Sequence, residues 1–531
     1  MKKYHKHNRA YFGGALVCIL ISTVFAVILQ FFKGNVLDYA IAGDLSATIK
    51  YTVLLIAFIL GEVLFYFGYK QFGARYVVGC TKLLKRDIFE SIIGRGFVDY
   101  KMLTQGEYIA KYTNEADTIK ARRFQMLPMF WEILFRIIFV SIALFVLDCR
   151  IALIIIGLLT TPLYIPKLIE KRLQTAQTEY LKAVENNLAK VNDWLSGFEI
   201  IKNYSIERRI LSRFDVANDL TMEKLLRDTT LGAVSQLITT LISYLSYFVV
   251  LAFATWLVLK GDFSAGDFFV AIGMIDQLSY PLISLAEIIR QLAAIKPSCR
   301  KMEQFIAEGS RMNCGRTLAS LKDRISYDNV TFAYPGQQPI LRNFCFDAEK
   351  GKRYLIKGPS GCGKTTAVNL LLRYYDIDGG CIEIDGVPLS EYSITYGCMT
   401  VVRQEAVLFH DSLRNNLTMY QDIPDNRLIQ LLNALGLSKF ANKRALDEEV
   451  TENGANLSGG EKKRICLARA LLRDTDVLIL DEPLANRDET TACRIEDLIL
   501  SIKGRLLIVV SHQFSEEKLK QYDDVITLNP I

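Results

Sequence analysis

The segment Gly358-Pro-Ser-Gly-Cys-Gly-Lys-Thr-Thr366 carries the most specific chemistry in this 531-residue chain. It reads GxxxxGK[ST], follows the apolar run Arg353 to Lys357 and precedes a helical pattern. Glycines in such a loop let successive backbone N–H groups curl around phosphate oxygens, and the helix that follows adds the positive end of its dipole. Lys364 is then placed for the β- and γ-phosphates of a nucleotide and the Thr365 hydroxyl for Mg²⁺. Gly358, Pro359, Ser360, Gly361, Cys362, Gly363 and Thr366 complete the cradle. Further on, Val477-Leu-Ile-Leu-Asp-Glu-Pro483 is an aliphatic strand ending in two carboxylates. Asp481 at the strand end suits the metal, and Glu482 suits polarisation of an attacking water, because phosphoryl transfer needs positioning and charge stabilisation more than covalent chemistry.

Between these motifs, Leu457-Ser-Gly-Gly-Glu461 opens the helical run Lys462 to Leu472. Ser458, Gly459 and Gly460 at a helix N-terminus form a second anion site. With this segment the chain closely resembles the ATP-binding cassette (ABC) transporters, whose signature is LSGGQ. Here Glu461 replaces the final glutamine, removing an amide donor and adding a charge. The resemblance extends to Tyr334 in Phe332-Ala-Tyr-Pro, like the aromatic that stacks on adenine. Gln404 in Val401-Val-Arg-Gln-Glu resembles the glutamine that senses Mg²⁺ and the membrane domain. Asp488 resembles the aspartate of the D-loop, although Leu484-Ala-Asn-Arg-Asp departs from the usual SALD. His512 in Val510-Ser-His resembles the switch histidine at the γ-phosphate. The resemblance therefore implies an active ATPase that uses ATP and Mg²⁺. Glu482, His512, Gln404 and Lys364 would be its catalytic groups, and Thr365, Gln404 and Asp481 its metal-binding ones. In this family the signature of one copy closes over the P-loop of another. A chain with one of each is expected to work as a dimer with itself or with a similar half-transporter.

The elements that hold these motifs belong to two solvents. Hydrophobic residues make up 51% and charged residues 23% of the chain, and mean hydropathy is +0.20. That composition excludes disorder, and a net charge of +6 over this length argues against a basic nucleic-acid binder. The eleven cysteines are odd in number and contain no CxxC pair, which fits reduced thiols better than a disulfide framework or metal site. Apolar runs at about 10–32, 51–69, 127–147, 151–169, 233–259 and 268–289 each approach the roughly 20 residues needed to cross about 30 Å of hydrocarbon. They predict an N-terminal all-α domain of six spanning helices, extended into the cytosol. The first run is too long for the apolar part of a cleaved signal peptide. Beyond about residue 302, β-rich and helical segments alternate, predicting an α/β P-loop NTPase fold. The expected division is a membrane domain over 1–307, a linker over 308–322 and a cassette over 323–531.

Cations sort with this topology. The flank Met1 to Arg9 is basic, and the segments of roughly 70–126 and 170–232 carry Lys82, Lys85, Arg122, Arg123, Arg208 and Arg209. The positive-inside rule then places the N-terminus and the cassette in the cytoplasm of a multi-pass protein, expected in a bacterial plasma membrane. Gly106 to Ile119 and Trp194 to Lys202 resemble the two coupling-helix regions of exporters, and Thr451 to Gly454 resembles the exporter X-loop. Domain order also matches the exporter-type half-transporter. No protease segment precedes the first span, which disfavours a leader-cleaving peptide exporter.

The resemblance implies efflux of a small amphipathic molecule, a lipid or a peptide, with membrane lipid as surroundings. The alternative is an importer of a siderophore-like metal chelate built on the same fold. Charges inside a membrane are costly and mark functional candidates. Glu62 and Asp276 fall near mid-depth of their runs, and Glu132 stands i,i+4 from Arg136, with which it can pair. These three acids are the candidate cargo residues, and Glu62 and Asp276 would favour a cationic or amphipathic cargo.

Overall fold

The computed structural model describes residues 1–159, 165–309, 316–394, 397–483, 489–511 and 518–529. The chain forms two compact units, one of Met1–Phe89 with Ile109–Phe305, the other of Glu90–Tyr108 with Ile306–Ile531.

The first unit is helical. Among the described residues five helices are long and apolar enough to cross a membrane: Arg9–Ile41 (α1), Leu45–Ile93 (α2), Gln105–Leu147, Glu207–Lys260 and Ala265–Gly309. The 49 residues of α2 reach about 74 Å at 1.5 Å per residue, more than twice a hydrocarbon core. Its apolar side chains point outward, with Val53, Leu60 and Leu64 all more than half exposed. That inverts the rule for water and suits a helix whose solvent is lipid. The expected fourth span, 151–169, runs across residues 160–164, which lie outside the described ones. On either side of them stand the apolar helix Cys149–Leu159 and the helix Ile165–Ser196. Six spans are therefore not counted here.

The interior of this unit is made by Val27, Val140, Leu144, Ile155, Leu257 and Met274. Close packing of α1 on the helix Ala265–Ala294 depends on two glycines. A Cβ on Gly266 would come within 2.4 Å of the Gly34 carbonyl oxygen, and one on Gly34 within 2.8 Å of the Gly266 oxygen. Small residues at such crossings let backbones touch, which is how helices gain packing where lipid offers no hydrophobic drive. Beside the crossing, Asp38 accepts the Ser264 hydroxyl at 2.7 Å and the Gly266 N–H at 2.6 Å, fixing the helix start.

The second unit contains a parallel sheet of Arg353–Lys357 (β1), Met399–Val402 (β2), Val477–Asp481 (β3), Leu506–Val510 (β4) and Asp524–Thr527 (β5), in the order β5-β1-β4-β3-β2. Strands β3 and β4 are buried at every residue, as strands covered on both faces must be. Alternate side chains supply the two cores. Val477, Ile479, Leu506 and Ile508 face one, and Leu478, Leu480, Leu507 and Val509 the other. A separate antiparallel sheet contains Arg324–Phe332, Leu341–Glu349 and Gly379–Ile384.

The segment Glu90–Tyr108 joins this second unit although it lies among the spans in sequence. Its centre is the five-residue helix Phe97–Lys101 (α3). Tyr108 pins it by stacking on Tyr100 at 4.9 Å and hydrogen bonding the carbonyls of Asp99 and Tyr100. The region expected to resemble a coupling helix, Gly106 to Ile119, overlaps this stretch at Gly106–Tyr108, and α3 lies just upstream of it.

Candidate functional site

Strand β1 delivers the glycine-rich loop, and helix Lys364–Leu371 (α4) leaves it. Gly361 and Gly363 take φ of 84° and 99°, left-handed values that glycine adopts without penalty. A Cβ on Gly363 would also meet Leu341 at 2.9 Å. The loop therefore turns tightly at these two glycines. Lys364 is buried, and its ammonium donates to the carbonyls of Gly358 at 2.7 Å and Pro359 at 2.8 Å, which holds it inside the curl.

Parallel pairing of β3 with β4 and β2 carries Asp481 to the edge of this loop. The Thr365 hydroxyl donates to Asp481 Oδ1 at 3.5 Å. Asp481 is only 3% exposed. Burial pushes its carboxyl above the ordinary value, and the Thr365 hydrogen bond and Arg403 charge work against that rise. A hydroxyl beside a carboxylate is a hard oxygen donor set, which fits Mg²⁺. The next residue, Glu482, has φ of 53°, uncommon for a side chain with a Cβ, and its N–H donates to the Val510 carbonyl at 2.9 Å. Such conformations persist where surroundings enforce them, commonly at functional sites.

Tyr334 stands beside the loop. Its hydroxyl lies 3.1 Å from Thr366 Oγ1, and its ring packs edge-on against Phe332 and Tyr375. Gln404, just beyond β2, is exposed. The residue before it, missed in the sequence, turns inward: Arg403 donates to Asn369 Oδ1 at 2.8 Å and lies 3.9 Å from Asp481 Oδ2. An arginine at the end of a buried apolar strand was the available signal.

The second motif is separate. Ser458 caps helix Gly459–Leu472 (α5) by accepting the Glu461 N–H at 3.3 Å, while Glu461 accepts the Ser458 N–H at 2.9 Å. This reciprocal cap is open to Gln or Glu. The carboxylate gains a further partner, the Lys439 ammonium at 2.6 Å. Burial alone would raise the Glu461 carboxyl, but Lys439 and the Ser458 donors outweigh it and hold it below its ordinary value. Among the described residues, the side-chain hydrogen bonds of Ser458 and Glu461 run to each other's backbone and to Lys439, not to the loop 358–366. Asp488 and His512 lie outside the described residues.

In the membrane unit, Glu132 meets Arg136 at 3.8 Å, the i,i+4 pairing that its spacing allows. Glu62 is half-buried, and Asp276 is exposed next to the buried Met274 and Ile275. Among the described residues, no hydrogen bond or ion pair joins Glu62, Glu132 and Asp276 to one another.

Residues 12–282 match the family profile of the ABC transporter transmembrane region, and residues 341–485 match that of the ABC transporter. An ATP-dependent lipid A-core flippase of Photobacterium profundum is 29% identical over 66% of this chain, which spans 61% of the flippase's length. The flippase of Pasteurella multocida is 26% identical over 91% of this chain and 84% of its own. The fold matches a bacterial Atm1-family ABC exporter solved with ATP bound. The TM-score is 0.80 at 21% identity, covering 98% of this chain and 94% of that one.

Proposed function

Because this chain belongs to the ABC transporters, we propose that it is an ATP-driven exporter that moves a lipid or similar amphiphile out of the cytoplasmic side of a membrane, working as a dimer. The observation that carries the ATPase reading is the convergence of Lys364, Thr365, Asp481 and Glu482 at one strand edge. The curled loop binds the nucleotide phosphates through its N–H groups and Lys364, while Tyr334 offers an aromatic face beside it. Thr365 and Asp481, with Gln404, would hold Mg²⁺, which supplies charge neutralisation at the phosphates. Glu482 orients and polarises the attacking water, with His512 at the γ-phosphate.

Dimerisation is supported by the two halves of the site that one chain supplies: among the described residues, no hydrogen bond joins the Ser458 cap to the loop. Exposed apolar side chains at the end of a helical pair, Leu195, Phe198, Ile200 and Tyr204, suit a surface covered by a second copy. Membrane orientation follows the basic flanks, with the N-terminus and cassette in the cytoplasm of a bacterial cell.

Lipid cargo is supported by the flippase relatives and the exporter fold, neither of which favours a chelate importer. A groove of about 660 Å³ in the membrane unit adds a chemical hint. Apolar Val77, Val78 and Pro128 line it together with Lys70, Lys82, Lys85 and Lys120, of which Lys85 and Lys120 also meet Asp117. Apolar walls with a cationic rim favour an acidic amphiphile over a cation. The discriminating experiment is ATPase stimulation in lipid nanodiscs by an acidic lipid amphiphile, a hydrophobic peptide and a ferric chelate. Stimulation by the first alone supports the reading, and stimulation only by the chelate overturns it.

A further inference from the structure

Arg403 stands where three elements meet. It precedes Gln404 at the end of β2, its guanidinium binds Asn369 on α4 at 2.8 Å, and it lies 3.9 Å from the Asp481 carboxylate on β3. The same guanidinium is 5.1 Å from the centroid of the Tyr374 ring. Tyr374 in turn is stacked on Phe97 of α3, with centroids 3.8 Å apart and planes 8° from parallel. A short helix inserted between membrane spans in sequence is thus linked, through two aromatic rings and one guanidinium, to a carboxylate that suits a metal. Gln404, beside it, is exposed.

The chemistry of this link is directional. Arginine carries its charge at every accessible pH, so its influence on Asp481 changes only if it moves. Asp481 is almost fully buried, and charges near it are weakly screened. A guanidinium at 3.9 Å is close enough to compete for the carboxylate and too far to be locked by a direct hydrogen bond. What holds it there is Asn369 on one side and the face of Tyr374 on the other. Phe97 fixes that face.

Resting on the ATPase reading above, we infer that Arg403 is a positioning residue that reports the docking of Phe97 to Asp481. With Phe97 stacked, Tyr374 keeps the guanidinium beside the carboxylate, opposing a metal cation there. When α3 shifts, the Phe97 stack on Tyr374 is lost, Arg403 withdraws and the carboxylate becomes available to the metal.

The test uses the full chain in nanodiscs, with Glu482→Gln to prevent turnover, and reads the ratio of ATP affinities with Mg²⁺ and with EDTA. Arg403→Gln is expected to raise that ratio about threefold or more, the scale of a partly exposed ion pair. Phe97→Ala should raise it by less, and should add nothing in the Arg403→Gln background. Arg403→Lys keeps the charge but loses the planar contact, so its ratio should stay near the parent's while its response to Phe97→Ala disappears. Should Arg403→Gln fail to fold, Tyr374→Leu carries the test, since it too should abolish the Phe97 effect. An unchanged ratio in Arg403→Gln, or a Phe97→Ala effect of equal size in both backgrounds, overturns the inference. If turnover in an otherwise unaltered chain is still lost with Glu482→Gln, the proposed function stands regardless.

Discussion

The Thr365 hydroxyl donates to Asp481 Oδ1 at 3.5 Å, joining two residues 116 apart in the chain. The contact exists because β3 lies two strands from β1 in a parallel sheet, so that the strand ending in Asp481 finishes at the level of the loop that follows β1. Ligand sites at the carboxyl ends of parallel strands follow from that geometry.

Glu482, immediately after this pair, is expected to carry hydrolysis but not binding. Glu482→Gln should lower ATP turnover by about 10²-fold or more, the range for loss of a general base, with ATP still bound. Single-turnover hydrolysis beside equilibrium ATP binding checks this. Near-normal turnover would remove Glu482 from its role.

Glu461 sharpens what sequence alone could say of the second motif. As a departure from LSGGQ it read as a lost donor and an added charge. In the structure the Glu461 side chain completes the Ser458 cap, and its charge pairs with Lys439. Glu461→Gln should keep the cap and cost at most about 1 kcal/mol, whereas Ser458→Ala should cost about 1 kcal/mol through loss of the cap itself. Because the folded carboxyl titrates below its ordinary value, its contribution is present at neutral pH and is lost as pH falls below about 4.3 and through that lower value. Melting of the full chain against pH should show that acid loss in the parent and a weaker one in Glu461→Gln.

Cys362 lies inside the glycine-rich loop, where alkylation would block ATP. The structure buries it at 4% exposure, while Cys149, Cys345 and Cys493 are exposed. Brief alkylation followed by peptide mass spectrometry should label those three well before Cys362, with ATPase activity retained meanwhile. Early labelling of Cys362 would contradict the packing described.

Gly266→Ala should force α1 away from its neighbour, since the added carbon would sit 2.4 Å from the Gly34 oxygen. A loss of about 1–3 kcal/mol is expected for such overpacking, read as a lower melting temperature in detergent. Gly157→Ala, where nothing lies within 4 Å, serves as the control.

These cases show what was legible in sequence. Lys364, Thr365, Asp481 and Glu482 sit in local motifs whose spacing is imposed by one phosphate-binding turn and one strand end, so the residues could be named in advance. Five apolar helices were legible because lipid demands length and hydrophobicity together. The fourth expected span is not settled, since residues 160–164 lie outside the described ones. Tyr374, Phe97 and their link to Arg403 were invisible because nothing local joins the three: only the fold brings a residue near position 97 against ones near 374 and 403. Lys439 escaped for the same reason.

The central claim is tested most directly by flux in inside-out membrane vesicles containing the full chain. With ATP and Mg²⁺ supplied outside, a fluorescent acidic lipid amphiphile should move from the outer to the inner leaflet, and Glu482→Gln should abolish the movement. Movement in the opposite direction, or ATP hydrolysis with no transfer of the amphiphile, would contradict the account.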